Sequence, residues 1–370
     1  MLVPKLRFKE FNNEWISKKL GDTCNINPNN EVLPYEFMYI DLESVVSGRL
    51  INKKIININN APSRAKRILK QNDILFQTVR PYQMNNYFFN DIYNISVVAS
   101  TGYAQIRTKC NSKFIYYLLH TEDFQSNVEL KCTGSNYPAI NSMELSNIFI
   151  YLPSLEEQTK IANFLSLIDR KIELQEKLVE NLKLYKKGLL KKVFSDNHGW
   201  KINQIGNICD ISTGSSNTQD SIDNGIYPFF IRSNIIKKSN KYLYDGEAVL
   251  TVGDGNIGKV FHYINGKFDY HQRVYKISDF KKYNIISGKY FYYYFSTFFY
   301  HHVMKLNAKN TVNSVRLNMI SKMNIRYPSI EEQNRIANLF TNLDKKIDFE
   351  TKKLQDLKTY KKGLLQKMFI

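Results

Sequence analysis

Several segments in the first half of the chain combine cations, amides and aromatic rings in runs that are typical of loops. They are Arg64-Ala-Lys-Arg67, Arg80-Pro-Tyr-Gln-Met-Asn-Asn86 and Thr133-Gly-Ser-Asn-Tyr137. Arg and Lys can bridge the O6 and N7 atoms of guanine, whereas Asn and Gln can pair with N6 and N7 of adenine. The candidate nucleic-acid contacts in this half are Arg64, Lys66, Arg67, Arg80, Tyr82, Gln83, Asn85, Asn136 and Tyr137.

The second half repeats this chemistry with different residues. The candidate contacts there are Arg232, Asn234, Lys237, Asn256, His271, Gln272, Arg273, Asn310 and Arg316. Any one of these residues would also suit an ordinary solvated loop, and lysine clusters more often hold phosphates than read bases. Two basic, loop-rich halves together favour binding of nucleic acid.

No segment predicts catalysis. The run Gly253-Asp-Gly255-Asn-Ile-Gly258 matches G-x-G-x-x-G, but a dinucleotide site needs a helix directly after it. The following residues, Lys259-Val-Phe-His-Tyr-Ile, read as a strand, so we predict a hairpin turn. The chain also lacks an Asn/Asp-Pro-Pro-aromatic signature for adenine methylation, a Walker loop and H-E-x-x-H. We therefore expect no catalytic residue and no metal site.

Composition agrees with a polyanionic partner. The 370 residues carry a net charge of +18, with 25 Tyr and 23 Phe. No run of apolar residues is long enough for a membrane span, and the N-terminal residues have no secretion signal. The four cysteines are scattered, which fits reduced thiols, and we expect a cytoplasmic protein.

One segment occurs twice in the chain. Residues 153–194 and 328–369 align without a gap at an offset of 175, with 22 identities in 42 positions. Upstream, Trp15 and Gly21 match Trp200 and Gly206 at an offset of 185. The segments between these repeats differ. We therefore predict head one over residues 1–153, a helix over 154–195, head two over 196–327 and a second helix over 328–370.

Both heads are expected to be α+β. Short apolar runs at residues 73–79, 96–100 and 248–252 predict strands, and the segments 113–125 and 289–304 predict helices. A curved or barrel-like sheet with one or two packing helices fits this pattern.

The repeated segments predict two long helices that form an antiparallel coiled coil. Ser154 and Ser329 are predicted N-caps, each with a Glu three residues later, as in a capping box. Apolar residues then alternate at spacings of four and three. The predicted seam includes Ile168, Ile172, Val179, Leu182, Lys186, Leu343, Ile347, Glu350, Leu354 and Leu357. In one antiparallel register Gln175 faces Lys361 and Lys186 faces Glu350, which we predict as the pairing.

A second apolar stripe lies beside this seam. Two interpretations are open: the heads cover the stripe, or it docks helices of another protein. Its candidate partner-binding residues are Phe164, Leu174, Leu178, Tyr185, Phe349 and Tyr360.

The duplicated P-S-L/I-E-E-Q…I-A-N…Y-K-K-G-L-L…F segment resembles the conserved repeats of DNA-specificity subunits of Type I restriction–modification systems. The heads resemble that family's target-recognition domains through Trp-x4-Leu/Ile-Gly openings and a Gly-Asn-Ile-Gly-Lys hairpin. The resemblance implies that each head reads half of a bipartite, asymmetric site in double-stranded DNA, with the helix pair as spacer. It also implies two methyltransferase partners that bind S-adenosylmethionine, a possible restriction partner, and no catalytic residue in this chain.

Two other functions remain open at this point. The chain could be an adaptor that binds only proteins, or a stand-alone methyltransferase or nuclease. A salt-sensitive DNA affinity that discriminates sequence would exclude the adaptor. The missing methyltransferase signature argues against the enzyme.

Overall fold

A computed structural model describes residues 3–29, 32–195, 199–280, 284–306 and 314–370. The chain divides into two compact units. Unit one is Met1–Glu176 with Lys353–Ile370, and unit two is Lys177–Lys352. Each unit therefore contains one head, part of one long helix and part of the other. Across the described ranges, no helix is both long and apolar enough to cross a membrane.

Head one is built from two four-stranded sheets and short helices. Its strands are β1 (Ile16–Lys19), β2 (Cys24–Ile26), β3 (Glu36–Ile40), β4 (Val45–Val46), β5 (Arg49–Leu50), β6 (Lys54–Asn57), β7 (Ala65–Ile68), β8 (Ile74–Gln77), β9 (Tyr87–Phe88), β10 (Val97–Ser100), β11 (Tyr103–Thr108) and β12 (Phe149–Leu152). Its helices are α1 (Leu20–Thr23), α2 (Ser112–Leu118), α3 (Glu122–Leu130) and α4 (Ser142–Ser146).

The sheets of head one have the strand orders β6-β3-β10-β7 and β2-β11-β8-β9. Strand β10 runs parallel to β3, and β1 pairs antiparallel with β12. The β8 run Ile-Leu-Phe-Gln is buried along its whole length, which explains its apolar and aromatic composition.

Head two has one larger sheet. After the long helix α5 (Leu155–Ser195), its strands are β13 (Lys201–Gln204), β14 (Asp210–Thr213), β15 (Tyr227–Phe230), β16 (Ile236–Ser239), β17 (Tyr244–Val252), β18 (Phe261–Tyr270), β19 (Val274–Ser278) and β20 (Asn324–Tyr327). Its helices are α6 (Gly288–Leu306) and α7 (Leu317–Ser321), and the chain continues into the long helix α8 (Ile330–Met368). The six-stranded order is β14-β19-β17-β18-β15-β16, and β13 pairs with β20.

The two heads share a packing detail that explains the paired glycines. A Cβ on Gly21 would lie 2.9 Å from Cβ of Ser146, and a Cβ on Gly206 would lie 2.9 Å from Cβ of Ser321. Each glycine thus lets a short helix (α4 or α7) approach the start of its head. The faint repeat upstream of the long helices therefore reflects the same contact made twice.

The long helices run antiparallel within each unit, which confirms the predicted arrangement. In unit one, Lys358 pairs with Glu176 and Lys361 with Asp169, so higher numbers on α8 meet lower numbers on α5. In unit two, Lys186 pairs with Asp344, and the ring of Phe194 lies 6.2 Å from that of Phe340. The direction of pairing is the same in both units.

The two lysines of the predicted pairing form ion pairs that the sequence did not predict. Lys361 pairs with Asp169, and Lys186 pairs with Asp344. Each carboxylate lies six positions nearer the start of its helix than the predicted neighbour, Gln175 or Glu350 (175 − 169 = 6 and 350 − 344 = 6). Apolar spacing marks the seam but does not show which carboxylate a flexible lysine binds.

The N-caps form in part as expected. The hydroxyls of Ser154 and Ser329 each accept from the N–H group three residues later, at 3.3 Å. The carboxylate of Glu157 does not turn back to the cap but binds Arg7 at 2.8 Å and the indole N–H of Trp15 at 3.4 Å. This capping-box glutamate therefore ties helix α5 to the start of head one.

The predicted strands of the heads and the hairpin turn are confirmed, and one predicted helix differs. Strands form at Ile74–Gln77, Val97–Ser100 and Tyr244–Val252, and the glycine-rich run at 253–258 connects two antiparallel strands. The segment 113–125 forms two helices instead of one. They separate because the Thr121 hydroxyl caps α3 by accepting from the N–H of Phe124.

Candidate nucleic-acid interface

A turn of unusual backbone geometry follows strand β8 in head one. We call residues 78–84 reading loop one. Arg80 (φ 53°, ψ 55°) and Met84 (φ 52°) have left-handed backbone on either side of a 3-10 turn at Pro81–Gln83. Residues with side chains rarely adopt this conformation, and such positions concentrate at functional sites.

Polar residues buried beneath reading loop one hold its shape. The amide of Gln77 donates to the carbonyl of Val79 at 2.7 Å and to the side chain of Gln83 at 2.8 Å. The side-chain oxygen of buried Asn86 accepts from the backbone N–H of Gln77 at 2.8 Å. Sequence reasoning missed Gln77 and Asn86 as supporting residues. The available signal was an amide at the end of an otherwise apolar strand.

Backbone hydrogen bonds join reading loop one to two other segments. The N–H of Arg80 donates to the carbonyl of Pro138 at 2.7 Å, and that of Thr78 donates to Gly102 at 3.0 Å. The N–H of Thr101 in turn donates to the carbonyl of Arg64 at 2.8 Å. These bonds bring Arg64 to the same end of the head as Arg80 and the segment before Pro138.

Candidate residues converge at this end. The guanidinium of Arg80 lies 4.2 Å from the ring centroid of Tyr137, a cation–π geometry. The side chains of Tyr82 and Tyr137 are 53% and 65% exposed. Gln83 and Asn136 are also exposed. The structure thus brings together a cation, two rings and two amides that the sequence places in separate segments.

Three predicted contacts of head one are placed differently. Lys66 and Arg67 lie within strand β7, where burial lowers the pKa of Arg67. Asn85 uses its side-chain oxygen to accept from the N–H of Ser47 at 3.0 Å. Arg67 and Asn85 therefore contribute to the fold, while Lys66 is exposed on its strand.

The same loop recurs in head two at residues 253–259, which we call reading loop two. Its Gly253 accepts from the N–H of Val315 at 2.7 Å and donates to the carbonyl of Arg273 at 2.8 Å. Thr78 makes the matching bonds in head one, with Ile140 and Gly102. The offset of 175 then places Gly255 (φ 74°) at the position of Arg80. The two loops share these flanking bonds and the first left-handed position, which is Arg80 in one and Gly255 in the other. The second left-handed residue differs, being Met84 in reading loop one and Gly258, the equivalent of Gln83, in reading loop two.

The cations of head two lie on neighbouring segments and converge on one acid. Nη1 of Arg232 and Nη1 of Arg273 lie 3.2 Å and 3.0 Å from the same carboxylate oxygen, Oδ2 of Asp254. The other oxygen of Asp254 is buried and accepts no hydrogen bond from the described residues. Asp254 was not among the predicted contacts. It holds two guanidinium groups in place and neutralises one of their charges.

The segment before Arg273 supports it. His271 is buried, and its Nδ1 accepts from the backbone N–H of Arg273 at 3.0 Å. Burial, followed by the nearby Arg232, lowers the pKa of His271. The side chain of Gln272 donates to Asn217 at 2.6 Å. His271 therefore positions the turn, and Gln272 and Arg273 are at its surface.

The other predicted residues of head two are more dispersed. Asn234 and Asn256 are exposed in loops, and Arg316 is exposed at the start of helix α7. Lys237 lies on strand β16 and donates to Ser221 at 3.2 Å. Asn310 lies outside the described residues.

The same three-residue contact joins each head to the long helices. Tyr117 donates to Asp169 at 2.8 Å, and Tyr293 donates to Asp344 at 2.8 Å. Lys361 pairs with Asp169 and lies over the Tyr117 ring, while Lys186 does the same with Asp344 and Tyr293. We call these the Tyr–Asp–Lys contacts. They orient each head on its part of the helix pair.

The seam and the second stripe differ in exposure. Among the seam residues Ile172, Val179 and Ile347 are buried, and the others are partly buried: Ile168, Leu182, Lys186, Leu343, Glu350, Leu354 and Leu357. Within the stripe, Phe164 packs against Phe8 at a ring distance of 5.8 Å. The exposed apolar stripe comprises Leu174, Leu178, Tyr185, Phe349 and Tyr360.

These features define a class of two-headed protein with a basic loop surface on each head and an antiparallel helix pair. A family model for the Type I restriction modification DNA specificity domain matches residues 12–184 and 197–359. The chain belongs to this family, whose members are the non-catalytic DNA-recognition components of these systems.

Curated relatives agree with the family. The HindI specificity subunit of Haemophilus influenzae is 28% identical over 192 residues, covering 50% of this chain and 41% of that subunit. The EcoDI specificity subunit of Escherichia coli is 25% identical over 158 residues, covering 43% and 34%. The matched segments thus span less than half the length of these relatives.

Solved structures share the fold. The S subunit of a Type I restriction–modification system from M. genitalium has a TM-score of 0.67 at 16% identity, covering 100% of this chain and 99% of that chain. A chain from a study of type I R-M complex assembly and conformational transition has a TM-score of 0.62 at 21% identity, covering 97% and 98%. At these identities the likeness concerns the fold alone.

Proposed function

We propose that this chain reads an asymmetric, bipartite site in double-stranded DNA, with one half-site per head. The observation that carries the proposal is the shared scaffold with different side chains: reading loops one and two have the same backbone bonds, but Arg80 in one matches Gly255 in the other. Identical heads would favour a palindromic site. Heads with different side chains on one scaffold favour two different half-sites.

The long helices set the distance between the half-sites in this proposal. DNA rises about 3.4 Å per base pair, and a heptad adds about 7 × 1.5 Å of helix. Inserting one heptad into both α5 and α8 should therefore lengthen the unread spacer by about three base pairs. The matched control inserts a heptad in only one helix, which should disrupt the pairing instead.

In the proposed complex, the chain brings partner enzymes to the DNA site, and those partners carry out the methylation or cleavage. In this proposal, methyltransferase subunits that bind S-adenosylmethionine dock on the exposed apolar stripe, and a restriction subunit joins the same complex. The stripe supports this because five large apolar side chains remain exposed on charged helices. Leu174→Glu should weaken co-purification with a co-expressed methyltransferase subunit. Lys183→Gln, an equal change in charge at another exposed position of the helix, should leave it unchanged.

The deciding experiment is a map of methylated adenines in cells that express the chain with its methyltransferase. We expect one motif with two dissimilar halves separated by a constant spacer. A palindromic motif would contradict the assignment of one half-site per head. Methylation that does not depend on this chain would favour an adaptor that binds only proteins.

A further inference from the structure

Arg80 occupies a backbone conformation that favours glycine. Its φ of 53° lies in the left-handed region, and the matching position of head two is a glycine, Gly255, at φ 74°. The turn itself does not require arginine, because head two makes the same two flanking backbone bonds with glycine in place. Arginine therefore occurs at position 80 although the backbone conformation there favours glycine.

The guanidinium of Arg80 differs from other arginines of head one in its partners. Arg107 binds both oxygens of Asp73 at 2.8 Å and 2.7 Å, and Arg7 binds both oxygens of Glu157 at 2.8 Å. Within the described ranges, Arg80 makes no ion pair, and its guanidinium lies over the Tyr137 ring. Its charge is left for a partner outside the chain.

The contact with Tyr137 leaves N–H donors of Arg80 available. The guanidinium carries these donors in its own plane, and its central carbon lies 4.2 Å from the Tyr137 ring centroid. The backbone N–H of Arg80 is bonded to Pro138 in the same segment as Tyr137, so ring and cation are held together. The result is a fork of parallel donors on a supported loop. Such a fork matches O6 and N7 of guanine in the major groove.

We propose that Arg80 is the specificity-determining residue of head one and that it reads a guanine, with Tyr137 as its positioning residue. This inference rests on the proposed function, in which head one reads one half-site. An arginine fork can also bind two oxygens of a phosphate, but phosphates flank every base pair alike. Only a contact with guanine therefore predicts a preference for one base pair that depends on Arg80.

The test uses the purified full chain and selection from a pool of randomised duplex DNA. Selection with the wild-type chain should yield two half-sites, one of which contains a G·C pair whose selection depends on Arg80. Arg80→Lys keeps the charge but removes the fork, so preference at that pair should fall by about 5- to 150-fold. The salt dependence of binding should stay the same because the number of cations is unchanged.

Other variants distinguish a role of Arg80 in base recognition from a role in the stability of the head. Arg80→Gly restores the residue that the backbone favours, so it should abolish the G·C preference without lowering the melting temperature. Tyr137→Phe keeps the ring and should retain the motif, whereas Tyr137→Leu should weaken the same base pair. Arg273→Lys in head two should change only the other half-site, which makes each half an internal control for the other.

The outcomes are distinguishable. A wild-type pool without any motif overturns the proposed function and the inference with it. A wild-type motif that Arg80→Lys leaves unchanged, or changes at an A·T pair, overturns the inference alone. A melting temperature that falls clearly in Arg80→Gly would assign Arg80 to the fold and would also overturn the inference.

Discussion

The two heads use one loop scaffold but place their cations on different parts of it. In head one, Arg80 extends from the left-handed position of reading loop one and stacks on Tyr137. In head two that position is Gly255, and Arg232 and Arg273 reach the site from neighbouring segments and meet at Asp254. The comparison shows that backbone hydrogen bonds can be kept while the side chains that face a ligand are moved.

The difference also concerns charge. Head one presents a cation supported by an aromatic ring, which leaves its full charge in place. Head two presents two cations that share one carboxylate, so one charge is neutralised and the orientation of both groups is held. Base discrimination by head one should therefore depend on the ring of Tyr137, and that by head two on the carboxylate of Asp254.

The largest expected effect comes from Asp254→Ala. Removing the carboxylate releases both guanidinium groups, so discrimination at the half-site of head two should fall by about 100-fold, if two fork contacts of about 1–3 kcal/mol each are partly lost. Non-specific affinity should rise because one negative charge is gone. Competition binding with specific and scrambled duplexes measures both quantities.

Val79→Ala is the matched control for this prediction, because Val79 lies at the position of Asp254 in reading loop one. It should leave both half-sites unchanged. If Asp254→Ala lowered specific and scrambled affinity equally, the acid would serve the fold of the head and not the orientation of the arginines.

The second prediction concerns acid stability of head one. Burial lowers the pKa of His120 to about 4, and its ring bonds the carbonyl of Tyr116 at 2.7 Å. A lowered folded-state pKa favours the neutral form, so this contribution is complete above the ordinary histidine pKa near 6.5 and is lost as the pH falls towards 4. The loss should be about 3 kcal/mol at pH 4.

One tryptophan in each head allows the measurement. Trp15 lies in the core of head one and Trp200 packs against the core of head two. In a Trp200→Phe background, His120→Gln should flatten the acid dependence of unfolding reported by Trp15. In a Trp15→Phe background the curve for head two should stay the same, since its own histidines are untouched. A change in both curves would contradict a local effect.

The third prediction tests whether the two Tyr–Asp–Lys contacts contribute equally to the stability of their heads. Tyr117→Phe and Tyr293→Phe each remove a hydroxyl that donates to a carboxylate at 2.8 Å. Each should lower the free energy of unfolding by about 1.5–3 kcal/mol, because hydrogen bonds to charged groups are stronger than neutral ones. Urea unfolding followed by the tryptophan of the affected head measures the loss. A loss in one head only would show that the two contacts are not equivalent.

The smallest effect is expected at the left-handed position itself. A Cβ on Gly255 would meet no atom within 4 Å, so Gly255→Ala should cost only the backbone strain, about 1 kcal/mol. Gly188→Ala, in the interior of helix α5 and equally open, should be stabilising by about 1 kcal/mol. Thermal unfolding should therefore shift in opposite directions for the same chemical change. Equal shifts would contradict the strain at position 255 and weaken its comparison with Arg80.

Much of the fold was predictable because its signals are local or repeated. The caps at Ser154 and Ser329, the alternating seam and the paired glycines are read directly from the sequence. The ion pairs of Lys361 and Lys186 were not predicted because apolar spacing marks a seam and does not show which carboxylate of the facing helix a flexible side chain binds.

The site was predictable only as a set of segments. Nothing in the sequence shows that Arg80 has left-handed backbone, since most residues at φ > 0 are glycine, asparagine or aspartate. Its contact with Tyr137 depends on a backbone bond to Pro138, a partner distant in sequence. Asp254 could not be recognised because an acid among proposed DNA contacts suggests repulsion until its two arginines are seen beside it.

The composition of unit one has a consequence for synthesis of the protein on the ribosome. The rings of Trp15 and Phe114 pack against Phe369, and Leu364 and Met368 belong to the same core. Head one therefore cannot complete its interior until translation has passed residue 369. Head two, whose residues all precede position 353, can finish first, so the order of maturation is the reverse of the order of translation.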